Sequence, residues 1–272
     1  MQELIDRALA EDLGAGDVTT DALVPPDARA RARIVQKAPG VVAGLAVAEA
    51  VFHRVDPALR WHALVEEGLW RDEGPVAEVA GQTASILRAE RVALNFLGRL
   101  SGIATLTARF VRAVDGTGAR ILDTRKTTPG LRALEKEAVK VGGGVNHRFG
   151  LFDAVLVKEN HIAAAGGVRA AVELVTTAAH DGMRVEIECA SLDEVDQALR
   201  AGATALLLDN FTEDELAQAV ARAGGRAELE ASGNVTLDTV RAVAETGVDY
   251  ISVGALTHSA PALDVSLRLE QL

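Results

Sequence analysis

Short apolar strands alternate regularly with amphipathic helices after Gly118, and this alternation limits the folds that the chain can adopt. Strands that are connected by helices pair in parallel, so the pattern predicts an α/β barrel or a doubly wound sheet. The predicted strands cover residues 120–123, 153–158, 184–188, 204–209, 227–231 and 249–254. The predicted helices cover residues 131–141, 167–179, 192–201, 213–223 and 237–246.

The turn after the first of these strands helps to choose between the two sheets. A doubly wound sheet that binds a dinucleotide carries a glycine-rich fingerprint there, whereas this chain has DTRKTTPG. The difference favours a barrel, although the six predicted strands are fewer than the usual eight.

The first hundred residues follow a different pattern, in which strands and helices are mixed. Helices are predicted at residues 2–13, 45–55 and 83–114, the last with a break at Ser101 and Gly102. Strands are predicted at residues 28–37, 59–66 and 76–80. We therefore expect an N-terminal α+β domain over residues 1–104, followed by the α/β barrel over residues 105–262.

The composition excludes several classes of partner. The 272-residue chain has a formal net charge of −11, which disfavours DNA or RNA as the main partner. The apolar run VVAGLAVAEAVF is too short to span a bilayer and contains Glu49. No signal peptide is visible, and a single cysteine, Cys189, fits a reducing compartment. These features predict a cytoplasmic protein that binds neither nucleic acid nor membrane.

One cationic segment stands out in this acidic chain. Residues 120–161 contain eight Lys or Arg and five Asp or Glu, a balance of about +3, which predicts a pocket for anions. Arg125 and Lys126 follow the first barrel strand directly. His147 and Arg148 follow a glycine-rich loop, and an imidazole beside a guanidinium can clamp carboxylates. An ordinary loop position is the alternative for His147.

Ionisable residues end three successive predicted strands, where the active site of a barrel lies. These residues are Lys158, Glu188 and Asp209, and for each alone a helix cap or a surface turn is the alternative. Two carboxylates beside an anion pocket suit Mg²⁺, so Glu188 and Asp209 are predicted as its ligands. Lys158 balances them as an anion contact, as a buried ion-pair partner or as a Schiff-base lysine.

Two glycine-containing loops predict a phosphate-binding site on the opposite wall. Ser232, Gly233 and Asn234 lie just before a predicted helix, and free backbone amides at a helix start bind phosphate. Gly254 lets the backbone of the last loop approach a ligand closely, an arrangement that recurs in barrels. Plain turns are the alternative for both loops.

Cys189 is predicted to be structural, whereas contact of Lys136 and Lys140 with a ligand is left open. Cys189 faces away from the predicted site and fits a small core residue. Lys136 and Lys140 lie on a helix beside Glu137, where they could form only its solvated face.

Together these segments resemble the quinolinate phosphoribosyltransferases, the carboxylating nicotinate-nucleotide pyrophosphorylases of NAD biosynthesis. The similarity runs in order through EDLGAGDVTT, ERVALNFLGRLSGIAT, DTRKTTPGLRALEKEAVKVGGGVNHR, VLVKENH, VEIEC, LLLDN, EASGN and DYISVGALTHS. It implies an α+β N-terminal domain and a seven-stranded partial α/β barrel of the type II phosphoribosyltransferase kind. It also implies that residues 263–272 form a tail that returns to the N-terminal domain.

The resemblance implies an activity as well. Phosphoribosyl would pass from phosphoribosyl pyrophosphate to quinolinate with decarboxylation, which yields nicotinate mononucleotide, pyrophosphate and CO₂. Lys158, Glu188 and Asp209 would be catalytic, with Mg²⁺ as the cofactor. Arg91 would reach the site of a partner subunit, which implies a homodimer or a higher oligomer.

The resemblance assigns two further sets of positions. The residues that would hold quinolinate and phosphoribosyl pyrophosphate are Thr124, Arg125, Lys126, His147, Arg148 and Lys158. The carboxylates near the ribose and Mg²⁺ would be Glu188 and Asp209, and the phosphate seat would be Ser232, Gly233, Asn234 and Gly254.

Three alternative functions remain at this point. One is a Schiff-base barrel aldolase that uses Lys158. Another is a relative of the same fold with a different substrate, such as the type linked to molybdate transport, although His147 beside Arg148 favours quinolinate. A non-enzymatic anion-binding module would need only the phosphate seat and would leave Glu188 and Asp209 unexplained.

Overall fold

The computed structural model describes residues 1–179 and 182–271, except for the side chain of Gln271. The chain divides into two compact units. The first unit contains residues 1–108, residues 128–143 and the segment from Ser259 onward, and the second contains residues 109–127 and 144–258. Compared with the boundaries expected from the sequence, this division places residues 128–143 with the first unit. Leu272 of the expected tail lies outside the described residues.

Helices and strands follow one another along the whole chain. The earlier elements are α1 (Gln2–Leu13), α2 (Val18–Leu23), β1 (Arg29–Gln36), β2 (Gly40–Val41), α3 (Leu45–Val55), β3 (Arg60–Ala63), β4 (Trp70–Arg71), β5 (Gly74–Gln82) and α4 (Thr83–Ala113). The later elements are β6 (Arg120–Leu122), α5 (Arg132–Val141), β7 (Val155–Val157), α6 (Glu159–Ala165), α7 (Val168–Ala178), β8 (Val185–Cys189), α8 (Leu192–Arg200), β9 (Ala205–Asp209), α9 (Glu213–Ala223), β10 (Glu228–Ser232), α10 (Val240–Glu245), β11 (Tyr250–Ser252), α11 (Ala255–His258) and β12 (Val265–Gln271). Across the described residues, no helix is both long and apolar enough to cross a membrane.

The first unit is built on an antiparallel sheet with the strand order β12-β1-β5-β3. The alternation predicted for β1 is confirmed, because Ala30, Ala32 and Ile34 are fully buried while the residues between them are more exposed. On the more exposed side, the Nε atom of Arg33 lies 2.7 Å from a carboxylate oxygen of Glu78. β12 pairs with β1 along its length. The sheet of the first unit is therefore completed by a strand that follows the second unit in the sequence.

The break predicted within the long helix is wrong, because α4 is continuous over 31 residues. Its small residues serve close packing instead. The Oγ atom of Ser101 accepts a hydrogen bond from the backbone N–H of Ala43 at 3.0 Å. A Cβ atom on Gly102 would collide with the carbonyl oxygen of Pro261. The helix therefore tolerates a glycine because another backbone segment occupies the space of a side chain.

The solvated face, one alternative for the two lysines of α5, fits only Lys140. Lys136 is 2% exposed, and its neighbour Glu135 is fully buried and accepts a hydrogen bond from Arg99 Nη2 at 2.8 Å. Lys140 is exposed and pairs with Glu137 at 2.7 Å, as expected for a solvated face. Lys136 and Lys140 are four residues apart and so lie on neighbouring turns of α5. The buried residues of this helix include the charged Glu135 and Lys136 as well as apolar residues.

The second unit is built on a parallel sheet with the strand order β6-β11-β10-β9-β8-β7. All six predicted strands are present, and a parallel bridge between Leu122 and Val145 adds an extended segment beside β6. On the helix-covered side, Ile187 and Cys189 of β8 are fully buried, which confirms the core position of Cys189. The partial α/β barrel is thereby confirmed.

Candidate active site

The predicted site residues of the second unit follow the carboxyl ends of its parallel strands. Lys158 directly follows β7, and Glu188 lies at the end of β8. Asp209 and Ser232 end β9 and β10 and stand opposite each other in the strand register. Arg91 differs from these residues, because it lies at an exposed position of α4 in the first unit.

Arg125 and Arg148 form the cationic part of this edge. Both side chains are half-buried, and the Nε atom of Arg148 is buried without a hydrogen-bond partner in the described chain. Its Nη1 atom donates to the carbonyl of Ala154 at 3.2 Å. Burial lowers the pKa of Arg148, and repulsion from Arg125 lowers it further. Neighbouring guanidinium groups with a donor unused have the chemistry to bind an anion such as a carboxylate.

Fully buried Asp123 fixes the segment that carries His147. Its Oδ1 atom accepts the backbone N–H of His147 at 2.8 Å. The Nε2 atom of the imidazole lies 3.0 Å from Glu186 Oε2 and 3.5 Å from Glu230 Oε2. The Nδ1 atom accepts the backbone N–H of Arg148 at 2.7 Å. A contact between His147 and a substrate carboxylate would therefore need a nitrogen that is already engaged within the protein.

The two glutamates beneath His147 are each 1% exposed. Arg184 Nη2 lies 3.3 Å from the second carboxylate oxygen of Glu186. Burial opposes ionisation of Glu186, but the hydrogen bonds from His147 and Arg184, together with the charge of Arg184, outweigh it, so the pKa of Glu186 is lowered. Burial, together with repulsion from Glu186, raises the pKa of Glu230 to about 7. One buried carboxylate thus ionises easily while its neighbour tends to keep its proton.

Lys158 and Glu188 form an ion pair, in which Lys158 Nζ lies 2.6 Å from Glu188 Oε2. The lysine side chain is 49% exposed and that of the glutamate 16%. The backbone N–H of Lys158 donates to Nδ1 of His161 at 2.9 Å, so this histidine fixes the start of α6. An ammonium group held by a carboxylate suits anion binding, whereas a Schiff-base nucleophile needs a deprotonated amine.

The loops after β9 and β10 are joined through Asn210. Its Nδ2 atom donates to Asp209 Oδ2 at 2.8 Å, and its backbone N–H donates to the carbonyl of Ser232 at 2.8 Å. Gly233 has a φ of 106°, and a Cβ atom there would collide with the side-chain oxygen of Asn210. Asn234 Nδ2 approaches the same oxygen at 3.4 Å. Only glycine fits at position 233, because both the backbone conformation and the space exclude a side chain.

The predicted helix start behind this loop is wrong. α10 begins at Val240, three residues later than expected, and has six residues. In the intervening turn, the backbone N–H of Thr236 donates to Oγ1 of Thr239 at 3.0 Å. The helix amino terminus therefore does not adjoin residues 232–234, and the predicted phosphate seat depends on the loop backbone alone.

The loop after β11 packs on the loop after β6. A Cβ atom on Gly254 would lie 3.1 Å from Cδ of Lys126 and 3.2 Å from Nε2 of His258. The Oγ1 atom of Thr257 donates to the carbonyl of Lys126 at 2.8 Å. From the other side, the backbone N–H of Lys126 donates to Oγ1 of Thr124 at 3.0 Å. Gly254 is thus needed so that the stem of Lys126 can lie close to the backbone.

Two protein-family profiles match the chain. The profile described as the N-terminal domain of quinolinate phosphoribosyl transferase matches residues 17–101, and the profile of the C-terminal domain matches residues 103–268. The chain belongs to the quinolinate phosphoribosyltransferase family.

Individual members of the quinolinate phosphoribosyltransferase family are similar over almost the whole chain. The tobacco protein named quinolinate phosphoribosyltransferase [decarboxylating] 1b is 44% identical over 290 residues, which cover 99% of this chain and 82% of the relative. The Arabidopsis thaliana protein named nicotinate-nucleotide pyrophosphorylase [carboxylating], chloroplastic, is also 44% identical, with 99% and 83% covered. The crystal structure of NadC from Streptococcus pyogenes superposes with a TM-score of 0.96 at 40% identity and covers 100% of this chain and 96% of that one.

The structure brings together some of the residues predicted for a quinolinate phosphoribosyltransferase site and separates others. Lys158 touches Glu188, but the strand register places Glu188 opposite Leu207, so Asp209 lies two residues further along. The strand register therefore places Lys158 beside Glu188 but does not place Asp209 directly opposite Glu188. Asp209 is instead linked to Ser232 through the neighbouring loop.

Glu188 and Asp209 fit the chemistry of Mg²⁺, which prefers carboxylate oxygens with substrate and water as its other ligands. Lys158 occupies one oxygen of Glu188, and Asn210 donates to one oxygen of Asp209. Each carboxylate thus keeps a second oxygen for a cation, and the cation would add positive charge where phosphate groups are expected.

Sequence reasoning missed five residues that contact the predicted site residues. They are Glu186, Glu230, His161, Thr257 and His258. For the glutamates a signal was present, because in VEIEC and in ELEAS an acid recurs at a spacing of two residues and so faces one side of the sheet. For the other three, no pattern in the sequence indicates which loop they contact.

Proposed function

We propose that the chain transfers the phosphoribosyl group of phosphoribosyl pyrophosphate to quinolinate and decarboxylates the adduct. The products are nicotinate mononucleotide, pyrophosphate and CO₂. The observation that carries this proposal is the half-buried pair of Arg125 and Arg148, because a cation with a lowered pKa and an unused donor needs an anion to compensate it. Quinolinate supplies two adjacent carboxylates, one for each guanidinium. The tobacco relative's name describes the same decarboxylating activity.

The remaining predicted residues divide between the two substrates. Thr124 and Lys126 lie beside Arg125 in the loop after β6, and Lys158 extends from the end of β7. We assign these residues, with Arg125 and Arg148, to quinolinate and to the charged groups of phosphoribosyl pyrophosphate. The phosphate of the ribose 5-position falls to the backbone of Ser232, Gly233 and Asn234 and to the close approach that Gly254 permits.

In the first step, the lone pair of the pyridine nitrogen forms a bond to C1 of the ribose. The bond from C1 to the pyrophosphate oxygen breaks, and the electron pair leaves with pyrophosphate. Negative charge increases on the leaving group, where Lys126 and Lys158 can neutralise it, while Glu188 and Asp209 stabilise the positive charge that develops on the ribose. The site therefore acts mainly by orienting the two reactants and by matching their charges.

In the second step, the 2-carboxylate of the adduct leaves as CO₂. Its electron pair stays on the ring carbon next to the positively charged nitrogen, and a proton from solvent replaces the carboxylate. The ring nitrogen itself stabilises the carbanion, so no covalent bond to the protein is required. Arg125 and Arg148 hold the dicarboxylate throughout, and Lys158 stays in its ion pair with Glu188.

The cofactor and the assembly are also part of this proposal. Glu188 and Asp209 would hold Mg²⁺, which neutralises the pyrophosphate leaving group when it is bound. Arg91, exposed on α4, would act in the site of a second copy of the chain. The cytoplasm is the proposed location, although the Arabidopsis relative is named chloroplastic.

The activity is tested by incubating the purified protein with phosphoribosyl pyrophosphate, Mg²⁺ and quinolinate labelled in the 2-carboxylate. Labelled CO₂ and nicotinate mononucleotide should appear in equal amounts. Product from another pyridine carboxylate, with none from quinolinate, would overturn the substrate assignment. Borohydride should trap no substrate on Lys158, and an adduct there would indicate the aldolase chemistry instead.

The ion pair of Lys158 has a matched control in that of Lys140 and Glu137, with a similar distance of 2.7 Å on α5. Lys158→Ala should abolish most turnover, whereas Lys140→Ala should leave it unchanged. The donation of Arg91 is tested by mixing two inactive proteins, Arg91→Ala and Arg148→Ala. If the residues act in one site across two subunits, mixed dimers regain activity, and if they do not, the mixture stays inactive.

A further inference from the structure

His147 lies between the substrate site and a buried acidic pair, and both of its ring nitrogens are used. Nδ1 accepts the backbone N–H of Arg148 at 2.7 Å, so it carries no proton of its own. The proton of a neutral ring is then on Nε2, which lies 3.0 Å from Glu186 and 3.5 Å from Glu230. The His147 ring therefore connects the buried glutamates to the backbone of Arg148.

Glu186, below the ring, is buried and is contacted from two sides. Glu186 is 1% exposed and is held from the other side by Arg184, whose side chain lies 3.3 Å from its second oxygen. Arg184 in turn pairs with Glu228. Glu230, also 1% exposed, closes the opposite side of the ring. A carboxylate fixed at both oxygens is a defined acceptor, so the orientation of the imidazole is set by the sheet and not by the loop that carries it.

We propose that Glu186 is a positioning residue, which holds the His147 ring so that it fixes the backbone and thereby the guanidinium of Arg148. This proposal rests on the function proposed above and gives His147 a different role within it. His147 acts on the dicarboxylate through Arg148 and does not touch the substrate. The length of the Arg148 side chain makes such control useful, because a small change in its backbone direction displaces the guanidinium.

The same three side chains could be read as a metal site, since their ligand atoms lie within 4.8 Å of one another. The hydrogen bonding argues against that reading. A metal ion on Nε2 would displace its proton, and Nδ1 already accepts a hydrogen bond from Arg148. The ring would then have to be an imidazolate, or else the bond to Arg148 would break. Arg184 also already compensates the charge of Glu186.

Three variants test the proposal in steady-state kinetics. In Glu186→Ala, the KM for quinolinate should rise at least about tenfold, which corresponds to about 1.4 kcal/mol, while the KM for phosphoribosyl pyrophosphate changes less than about twofold. Glu186→Gln should recover most of that loss, since its amide oxygen can still accept the Nε2 proton. Asp196→Ala is the control, because it removes a carboxylate that pairs with Arg222 in the same unit and lies outside this network. An unchanged KM for quinolinate in Glu186→Ala, with wild-type activity present, refutes the proposal.

A second measurement on the wild-type protein keeps the test decisive if Glu186→Ala does not fold. Nitrogen NMR should identify His147 as protonated at Nε2 and unprotonated at Nδ1, and quinolinate should leave both ring signals in that state. A change of protonation state on adding quinolinate would indicate direct contact and overturn the proposal. So would about one zinc ion per chain in the purified protein.

The two proposals fail in distinguishable ways. If the wild-type protein makes no nicotinate mononucleotide, the proposed function is wrong whatever the NMR result. If it does and the quinolinate KM of Glu186→Ala matches that of Asp196→Ala, only the positioning role is wrong.

Discussion

Replacing Arg148 with alanine separates substrate binding from folding more sharply than any other change in the site. In the bound state, the variant loses charge-assisted hydrogen bonds to one carboxylate of quinolinate. Such bonds contribute about 1.5–3 kcal/mol, so the Kd for quinolinate should rise about 10- to 150-fold. The two guanidinium groups bind a dicarboxylate jointly, so nicotinate, with one carboxylate, should be less affected by the change than quinolinate.

The same substitution should cost little stability in the absence of substrate. It removes the hydrogen bond from Arg148 to Ala154, a loss of about 0.5–1.5 kcal/mol. It also removes a half-buried charge whose pKa is lowered by burial and by Arg125, which means that the folded protein disfavours the charged form. These effects oppose each other, so the free energy of unfolding should change by less than about 1 kcal/mol.

Calorimetric titration with quinolinate measures the affinity, and urea unfolding of the substrate-free protein measures the stability. Arg222→Ala is the matched control, because Arg222 is a partly exposed arginine of the same unit that pairs with Asp196 at 2.7 Å. It should lower stability by up to about 1 kcal/mol and leave quinolinate affinity unchanged. An affinity loss below about threefold for Arg148→Ala, or a stability loss above about 3 kcal/mol, would refute the reasoning.

Three further outcomes are expected. Gly102→Ala should lower Tm by several degrees, because its Cβ atom would collide with the carbonyl of Pro261, and an unchanged Tm would contradict the close packing. Burial raises the pKa of Cys189 to about 12, so a thiol reagent at pH 8 should modify it only after denaturant is added. Glu230 has a folded pKa of about 7 against an ordinary 4.5, so the folded state holds its proton longer and the contribution of this group to stability is lost as pH rises through that window. Relative to Glu230→Gln, the wild-type protein should therefore lose unfolding free energy between pH 4.5 and 7, as measured by urea unfolding at several pH values.

The fold was largely predictable because its signals are local. The alternation in β1 and in the six parallel strands follows from side chains that point to opposite faces, and α1 and α3 begin and end where the sequence pattern predicted. The unbroken α4 was not predictable in the same way. Gly102 carries the signal of a helix break, and only the distant Pro261, which occupies the space of its absent side chain, explains why the helix continues.

The site was predictable where a residue acts at a strand end and not where it acts through another side chain. The pairing of Lys158 with Glu188 follows from neighbouring strands, and it is present at 2.6 Å. The orientation of the His147 ring depends on its contact with Glu186. The sequence places Glu186 on the same strand face as Glu188 but does not indicate which of the two glutamates contacts the histidine. Likewise, the burial of Lys136 depends on tertiary packing. The charged residues beside it in the sequence are typical of an exposed helix face and do not predict burial.

The pairing of β12 with β1 has a consequence for the order of events during synthesis. Residue Ile34 pairs with Leu267, so the ribosome must make more than two hundred residues between the two strands before they can meet. The second unit, whose strands follow one another closely, can form while β1 still lacks this neighbour. Until β12 emerges, β1 presents an unpaired strand edge, and a nascent chain that stalls at this stage would be open to aggregation or chaperone binding.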